Sequence, residues 1–114
     1  MEFNKLSDKK EWGELIKNSP NDYEIIIFKH SPICHLSNVA EVVISDWSKA
    51  HSDYNHIKIL KVNVVLSKSL SRSIAKDLKI VHESPQIIWL DSELKVKFQA
   101  NHYDITVEKL NEHL

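Results

Sequence analysis

The stretch that decides the fold spans residues 23–50 and reads YEIIIFKHSPICHLSNVAEVVISDWSKA. It opens with an uninterrupted apolar run, Ile25 to Phe28, which is typical of a strand buried on both faces. His30-Ser31-Pro32-Ile33 breaks this run, and from Cys34 onward the apolar residues recur at helical spacing as far as Ala50. A strand that ends in a short loop and continues into a long helix is the first half of a βαβ unit.

Upstream of this stretch, the sequence predicts a weak edge strand and an amphipathic helix. Glu2 to Leu6 is the expected strand. Ser7 is the expected N-cap of the helix, which should run to about Asn18. The segment Ser19-Pro20-Asn21-Asp22 predicts the turn that ends this helix.

Downstream, strands and helices continue to alternate. The predicted elements are a strand from Ile57 to Leu66, a helix from near Ser67 or Ser69, an apolar strand from Gln86 to Leu90, a half-solvated edge strand from Leu94 to Ala100, and a closing helix from Asp104 to His113. The order β-α-β-α-β-α-β-β-α predicts an α/β fold: a central mixed β-sheet flanked by helices on both faces.

The composition excludes several classes of function. The 114 residues predict one domain covering 1–114, and 15 Lys+Arg against 16 Asp+Glu leave no gross charge for binding nucleic acid or an anionic membrane. The single glycine, Gly13, excludes Gly-rich phosphate loops and dinucleotide fingerprints. The N-terminus lacks the apolar region of a secretory signal, and the apolar runs are too short to cross a bilayer, so we expect a cytoplasmic protein.

Cys34 is the candidate catalytic residue. It is the only cysteine, so the fold cannot depend on an internal disulfide. Its predicted position is the junction of a buried strand and a long helix, where free N–H groups and the helix dipole stabilise a thiolate. A buried, inert cysteine is the alternative, but the junction favours a reactive thiol.

Polar residues around Cys34 are candidates for tuning it. Ser37, three residues later, can turn its hydroxyl toward the thiolate in the first helical turn, but it cannot act as a resolving thiol. His30 and His35 flank the cysteine and could depress its pKa or carry its proton. No metal site is expected, because the seven histidines are scattered and no second cysteine offers tetrahedral spacing.

Two further features lie away from Cys34. Pro85 precedes a buried strand, and the base rate for X–Pro bonds alone favours a trans bond before it. The three tryptophans, Trp12, Trp47 and Trp89, fall on apolar faces and are expected in the core.

Two motifs together resemble one family. Residues 28–37 read FKHSPICHLS and residues 81–86 read VHESPQ. They resemble the YtxJ-like monothiol bacilliredoxins, a thioredoxin-fold family linked to bacillithiol, whose pattern is approximately F-K-H-S-x-x-C-P-I-S and later H-E-S-P-Q. The similarity extends along essentially the whole chain, down to the closing helix start at Asp104-Ile105-Thr106.

The resemblance implies a thioredoxin-like fold and a role for each motif residue. Cys34 would be the nucleophile that takes bacillithiol from bacillithiolated proteins. Pro85 would be a cis-proline facing it, and the Ser84 backbone would align an extended substrate. His30 and Ser31 would belong to the shell around the active-site loop.

The resemblance also implies the other partners, with one departure. Bacillithiol, a low-molecular-weight thiol, would be the redox co-substrate, with no bound cofactor. Apart from the resemblance, we expect a monomer or weak dimer, a choice that the sequence does not decide. The family usually has proline directly after the cysteine, and this chain has His35 there. A histidine at that position could make Cys34 more acidic and more strongly oxidising, and it leaves the substrate open.

Two other functions compete with a bacillithiol-removing oxidoreductase. The first is a non-catalytic thioredoxin-fold adaptor or thiol-based redox sensor, suggested by the missing resolving cysteine and by His35. The second is iron–sulfur cluster carriage by a dimer, as in monothiol glutaredoxins. Those proteins have a C-G-F-S pattern and a glutathione site, and this chain displays neither.

Overall fold

The computed structural model describes residues 1–18 and 22–114. Its elements are β1 (Glu2–Lys5), α1 (Lys9–Lys17), β2 (Glu24–His30), α2 (His35–Ala50), β3 (Ile57–Asn63), α3 (Lys68–Leu78), β4 (Gln86–Leu90), β5 (Val96–Asn101), a 3₁₀ turn (His102–Asp104) and α4 (Val107–Asn111). The predicted order of strands and helices is confirmed. Most of the turn expected at Ser19-Pro20-Asn21-Asp22 lies outside the described residues.

The strands form one mixed sheet in the order β1-β3-β2-β4-β5. β3 runs parallel to both β1 and β2, whereas β4 is antiparallel to β2 and to β5. The carboxyl ends of β2, β3 and β5 and the start of β4 therefore meet at one edge of the sheet. This edge carries both sequence motifs.

The central strand β2 is buried on both faces, as its uninterrupted apolar run predicts. Ile26 and Phe28 pack in one hydrophobic cluster with α2 and α4, and Ile25 and Ile27 pack in a second cluster with α1 and α3. All four side chains are at most 1% exposed. Burying one such side chain is worth roughly 1.5–3 kcal/mol, so this strand anchors the fold.

Helices cover both faces of the sheet, and the three tryptophans lie in the core as expected. Trp12 of α1 contributes to one face, and Trp47 of α2 with Trp89 of β4 contributes to the other. Trp47 and Trp89 meet edge to face, with ring centroids 5.7 Å apart. The predicted α/β class is confirmed. In the described part of the chain, no helix is long and apolar enough to cross a membrane.

Local hydrogen bonds move two predicted boundaries near the N-terminal half of the chain. The N-cap of α1 is Asp8 rather than Ser7, because the Asp8 carboxylate accepts the Glu11 N–H at 2.9 Å. β3 ends at Asn63 rather than Leu66. The Asn63 side chain accepts the N–H groups of both Val65 and Leu66, which turns the chain out of the sheet.

Two boundaries near the C-terminus also differ from the prediction. β5 starts at Val96, because Leu94 has a positive φ of 63° and belongs to a turn organised by the Asp91 side chain. The closing helix begins at Val107 with Thr106 as its N-cap, and Asp104 belongs to the preceding 3₁₀ turn. The helix after β3 starts at Lys68 with Ser67 as its N-cap, close to the predicted start.

Candidate active site

The candidate site is built where β2 ends and α2 begins. Cys34 is the N-cap of α2 and has an extended backbone conformation. Its carbonyl accepts the N–H groups of Ser37 and Asn38 at 3.1 and 3.3 Å, and its own N–H donates to the Ser31 carbonyl at 3.1 Å. The loop and the first helical turn thus hold the thiol at the positive end of a 16-residue helix.

The thiol of Cys34 lies in surroundings that favour its anionic form. Polar groups of the first helical turn lower its pKa below the ordinary value: the Ser37 N–H has the largest influence, and the Leu36 N–H and the Ser37 hydroxyl have smaller ones. Partial burial acts in the opposite direction, and the net result is a lowered pKa.

Ser37 joins the separate parts of the site. It is fully buried, and its Oγ accepts the Ser31 N–H at 3.1 Å. The same oxygen lies 3.4 Å from Ser84 Oγ, 47 positions away in the chain. Ser37 therefore connects Cys34, the active-site loop and the second motif.

The second motif presents Ser84 and Pro85 at this edge of the sheet. The bond between them is cis, which the family resemblance implies and the base rate does not. The Pro85 carbonyl accepts the His102 N–H at 3.0 Å. Among residues 1–18 and 22–114, no group hydrogen-bonds to the backbone N–H or carbonyl of Ser84, so both remain open to a ligand.

The two histidines that flank Cys34 in the sequence differ in their surroundings. His30 is 5% exposed, and its Nε2 lies 3.1 Å from Asn38 Oδ1 and 3.4 Å from a Glu41 carboxylate oxygen that also pairs with Lys61. Burial, followed by Lys61, lowers the pKa of His30, so the imidazole is neutral at pH 7. His35 is exposed. Across the described chain, no hydrogen bond connects either imidazole to Cys34.

Sequence reasoning assigned no role to two buried polar residues that contact the second motif, Lys29 and Gln86. Lys29 is fully buried, with Nζ 3.0 Å from the Ser71 carbonyl and 3.1 Å from His82 Nδ1. Gln86 is also fully buried and donates to the Val81 carbonyl at 3.1 Å. The available signal was a polar residue directly next to an apolar strand run, in IIIFK and in QIIWL.

The described ranges contain no group of three or more His, Cys, Asp and Glu side chains that could hold a metal ion. The site presents a half-buried thiol of lowered pKa, a buried hydroxyl beside it, and backbone groups of Ser84 without a hydrogen-bond partner in the described chain.

Comparisons with known proteins agree with this geometry. A family model described as monothiol bacilliredoxin BrxC matches residues 4–110. Among solved structures, a candidate oxidoreductase with a thioredoxin fold superposes with a TM-score of 0.82 at 24% identity, covering 97% of this chain and 92% of that one. Thioredoxin O1 from Arabidopsis thaliana gives 0.73 at 17% identity (98% and 94% covered), and Fasciola hepatica thioredoxin gives 0.71 at 14% identity (98% and 94%). The fold is the thioredoxin fold.

Proposed function

Because the chain belongs to the monothiol bacilliredoxin family, we propose that it removes bacillithiol from protein mixed disulfides with Cys34 as the nucleophile. The family supports thiol–disulfide oxidoreductase chemistry in general, and the single cysteine is consistent with a monothiol route. One observation supports the proposal most strongly: Cys34 is the N-cap of α2, at the positive end of a 16-residue helix, where the helix dipole favours a thiolate.

The proposed reaction is one thiol–disulfide exchange. The Cys34 thiolate attacks the bacillithiol sulfur of the mixed disulfide, the bond from that sulfur to the protein breaks, and the protein leaves as a thiolate that takes a proton from water. A disulfide between Cys34 and bacillithiol has then formed, and one disulfide has replaced another without net oxidation. Ser37 cannot attack this disulfide, so a second thiol from solution must release it.

Ser84 and Pro85 are the proposed substrate-binding residues. The unpaired N–H and carbonyl of Ser84 can hydrogen-bond with the backbone of an extended segment that carries the mixed disulfide. Ser37 lies between this segment and Cys34, which supports one continuous site. His30 and Ser31 hold the loop in place through hydrogen bonds. The His30 imidazole contacts the Asn38 side chain, and the Ser31 N–H donates to the Ser37 hydroxyl.

We propose that His35 makes the pKa of Cys34 differ from that in family members with proline at this position. Its exposed imidazole stands at the start of α2, where the family pattern has proline. A histidine at this position is proposed to favour the Cys34 thiolate, so we expect His35→Pro to raise the pKa of Cys34, measured by the pH dependence of thiolate absorption at 240 nm.

The proposed reaction requires specific partners and a reducing compartment. Bacillithiolated proteins are the substrates, bacillithiol is a co-substrate rather than a resident cofactor, and the reducing cytoplasm is the compartment in which such adducts are repaired. We propose that the protein acts as a monomer or weak dimer, because the exchange needs only Cys34 and the neighbouring Ser84 segment.

The test is adduct formation followed by intact mass. The reduced protein is incubated with bacillithiol disulfide and, separately, with glutathione disulfide. Because Cys34 is the sole cysteine, any adduct reports on it. Rapid addition of one bacillithiol, reversed by dithiothreitol and much faster than addition of glutathione, is expected, followed by removal of bacillithiol from a bacillithiolated test protein.

The control is Cys34→Ser, which should form no adduct and remove no bacillithiol. Removal at the parental rate by this variant would refute the proposal. Equal rates with both disulfides would keep the redox chemistry and reject bacillithiol as the preferred thiol. No adduct in a folded sample would favour the adaptor, although the half-buried thiol of lowered pKa argues against an inert cysteine.

A further inference from the structure

Lys29 is a buried cation that the proposed reaction does not use. It is the penultimate residue of β2 and is fully buried on the sheet face that packs against α1 and α3. Within the described ranges, no carboxylate forms an ion pair with its ammonium group. Burial lowers its pKa to about 8. Burying an ammonium group without a counter-ion costs folding free energy, which suggests that the contacts of Lys29 serve a function.

The contacts of Lys29 lead to the segment Val81–Pro85. Its Nζ lies 3.1 Å from His82 Nδ1 and donates to the Ser71 carbonyl at 3.0 Å. Ser71 Oγ lies 3.2 Å from the same His82 nitrogen.

The cross-strand neighbour of Lys29 fastens the same segment. Gln86 pairs with Lys29 in the sheet register and is fully buried. Its side chain donates to the Val81 carbonyl at 3.1 Å and accepts the Glu83 N–H at 3.4 Å. Two buried polar side chains on adjacent strands thus hold the segment that presents Ser84.

We propose that Lys29 is a positioning residue, which fastens the Val81–Pro85 segment through neutral His82, and that protonation of His82 releases this segment. In neutral His82, Nδ1 accepts a hydrogen bond from the Lys29 ammonium group, and Nε2 carries the ring hydrogen. Protonated His82 has a hydrogen on both nitrogens, so Nδ1 then directs a donor and a positive charge at an ammonium group 3.1 Å away.

The other charged groups around His82 do not remove this conflict. Arg72 of α3 acts in the same direction as Lys29 and disfavours the protonated imidazole, whereas Glu83 of the same segment favours it. Burial is the largest influence on the pKa of His82, and Lys29 is the next, and both lower it. The His82 residue is exposed overall, so the protonated ring can turn into solvent.

Release of the Val81–Pro85 segment would change the active site, because this segment contains Ser84. The Ser84 hydroxyl lies 3.4 Å from the Ser37 hydroxyl beside Cys34, and the Ser84 backbone is the proposed substrate contact. Acid pH would therefore weaken binding of an extended substrate. This last consequence rests on the proposed function, whereas the fastening itself does not.

The test follows the histidine and the segment by NMR without any substrate. The variants are Lys29→Met, which removes the charge, and His82→Asn, whose amide oxygen can occupy the Nδ1 position but does not titrate. His56→Asn, at the opposite end of the sheet, is the matched control. In Lys29→Met the pKa of His82 should rise, because the positive charge beside its Nδ1 is gone.

Amide exchange of Glu83, whose N–H donates to Gln86, should speed up severalfold in the parent between about pH 7.5 and pH 5.5 after correction for intrinsic rates. Lys29→Met should exchange rapidly at both pH values, and His82→Asn should stay protected at both. Acid-induced exchange that persists in His82→Asn, or an unchanged His82 pKa in Lys29→Met, would overturn the proposal.

A second measurement links the segment to substrate binding. With a bacillithiolated test protein, Lys29→Met should raise KM severalfold at pH 7.5 and leave kcat nearly unchanged, and His82→Asn should retain the parental KM. If the NMR results hold and no variant or parent removes bacillithiol, the fastening stands and the proposed substrate is wrong. If removal occurs with an unchanged KM in Lys29→Met, the positioning role is wrong.

Discussion

Replacing Lys29 by methionine should make the protein more stable at neutral pH. A group whose pKa falls from 10.5 to about 8 on folding costs at most roughly 3 kcal/mol at pH 7, at about 1.36 kcal/mol for each tenfold change in proton affinity. Solvent screening near exposed His82 and the hydrogen bonds lost with the ammonium reduce the expected gain to about 1–2 kcal/mol. Methionine fills a similar volume.

The stability gained by Lys29→Met should depend on pH, because Lys29 loses its proton at a lower pH in the folded chain than in the unfolded chain. Between about pH 8 and pH 10.5 the unfolded chain holds a proton on Lys29 that the folded chain has released, so parental stability rises with pH in this window. The advantage of Lys29→Met should therefore be fully present below about pH 8 and disappear as pH approaches 10.5. Both proteins share every other titratable group, so the pH dependence of Lys29 appears in the difference between their free energies of unfolding.

The assay is urea unfolding of parent and variant at about pH 7 and pH 10, followed by tryptophan fluorescence. Lys95→Met, in an exposed turn, is the control for a changed surface charge and should differ from the parent by less than about 0.5 kcal/mol. A Lys29→Met variant that is less stable than the parent at pH 7, or an advantage that does not change with pH, would refute the reasoning. Greater stability with poorer substrate binding would indicate that Lys29 serves function rather than folding.

Three further predictions concern the thiol, a helix cap and a strand. Ser37→Ala should raise the pKa of Cys34, measured by the pH dependence of thiolate absorption at 240 nm, because the thiolate loses a hydroxyl donor. Asp8→Ala should cost about 1 kcal/mol in thermal unfolding, because the Glu11 N–H loses its acceptor. Ile59→Ala, at a fully buried position in β3, should cost about 2–5 kcal/mol in urea unfolding.

Each of these changes has a matched control in the chain. Ser69→Ala removes an exposed hydroxyl and should leave the pKa of Cys34 unaltered. Ser7→Ala should cost far less than Asp8→Ala, and the reverse order would restore Ser7 as the cap. Leu66→Ala should be nearly neutral, because Leu66 is 84% exposed and lies beyond the end of β3. A large loss there would contradict the observed strand end.

The sequence determined the order of elements and the position of the thiol, because both depend on local patterns. The run Ile25 to Phe28 has no polar residue, as is typical of a strand covered on both faces, and all four side chains are buried. Helical spacing after Cys34 located the start of α2 directly. The resemblance of the two motifs identified the family and its fold, which the comparisons confirm.

Some boundaries could not be predicted because side-chain hydrogen bonds compete with apolar patterns over one or two residues. Both Ser7 and Asp8 are good N-cap residues. In the folded chain it is the Asp8 carboxylate that accepts the Glu11 N–H, so Asp8 is the N-cap of α1. Val64-Val65-Leu66 continues the apolar pattern of β3, but Asn63 takes the N–H groups that would have continued the ladder.

The tertiary structure alone decided which polar residues meet. Lys29 and His82 are 53 positions apart, and Ser37 and Ser84 are 47 apart. These pairs form because β4 lies antiparallel beside β2, which brings the start of β4 to the edge where Cys34 begins its helix. Hydrophobic periodicity specifies which face of a strand is buried, but it does not specify the neighbouring strand or its register, so the contacts of a buried lysine or serine follow only from the assembled sheet.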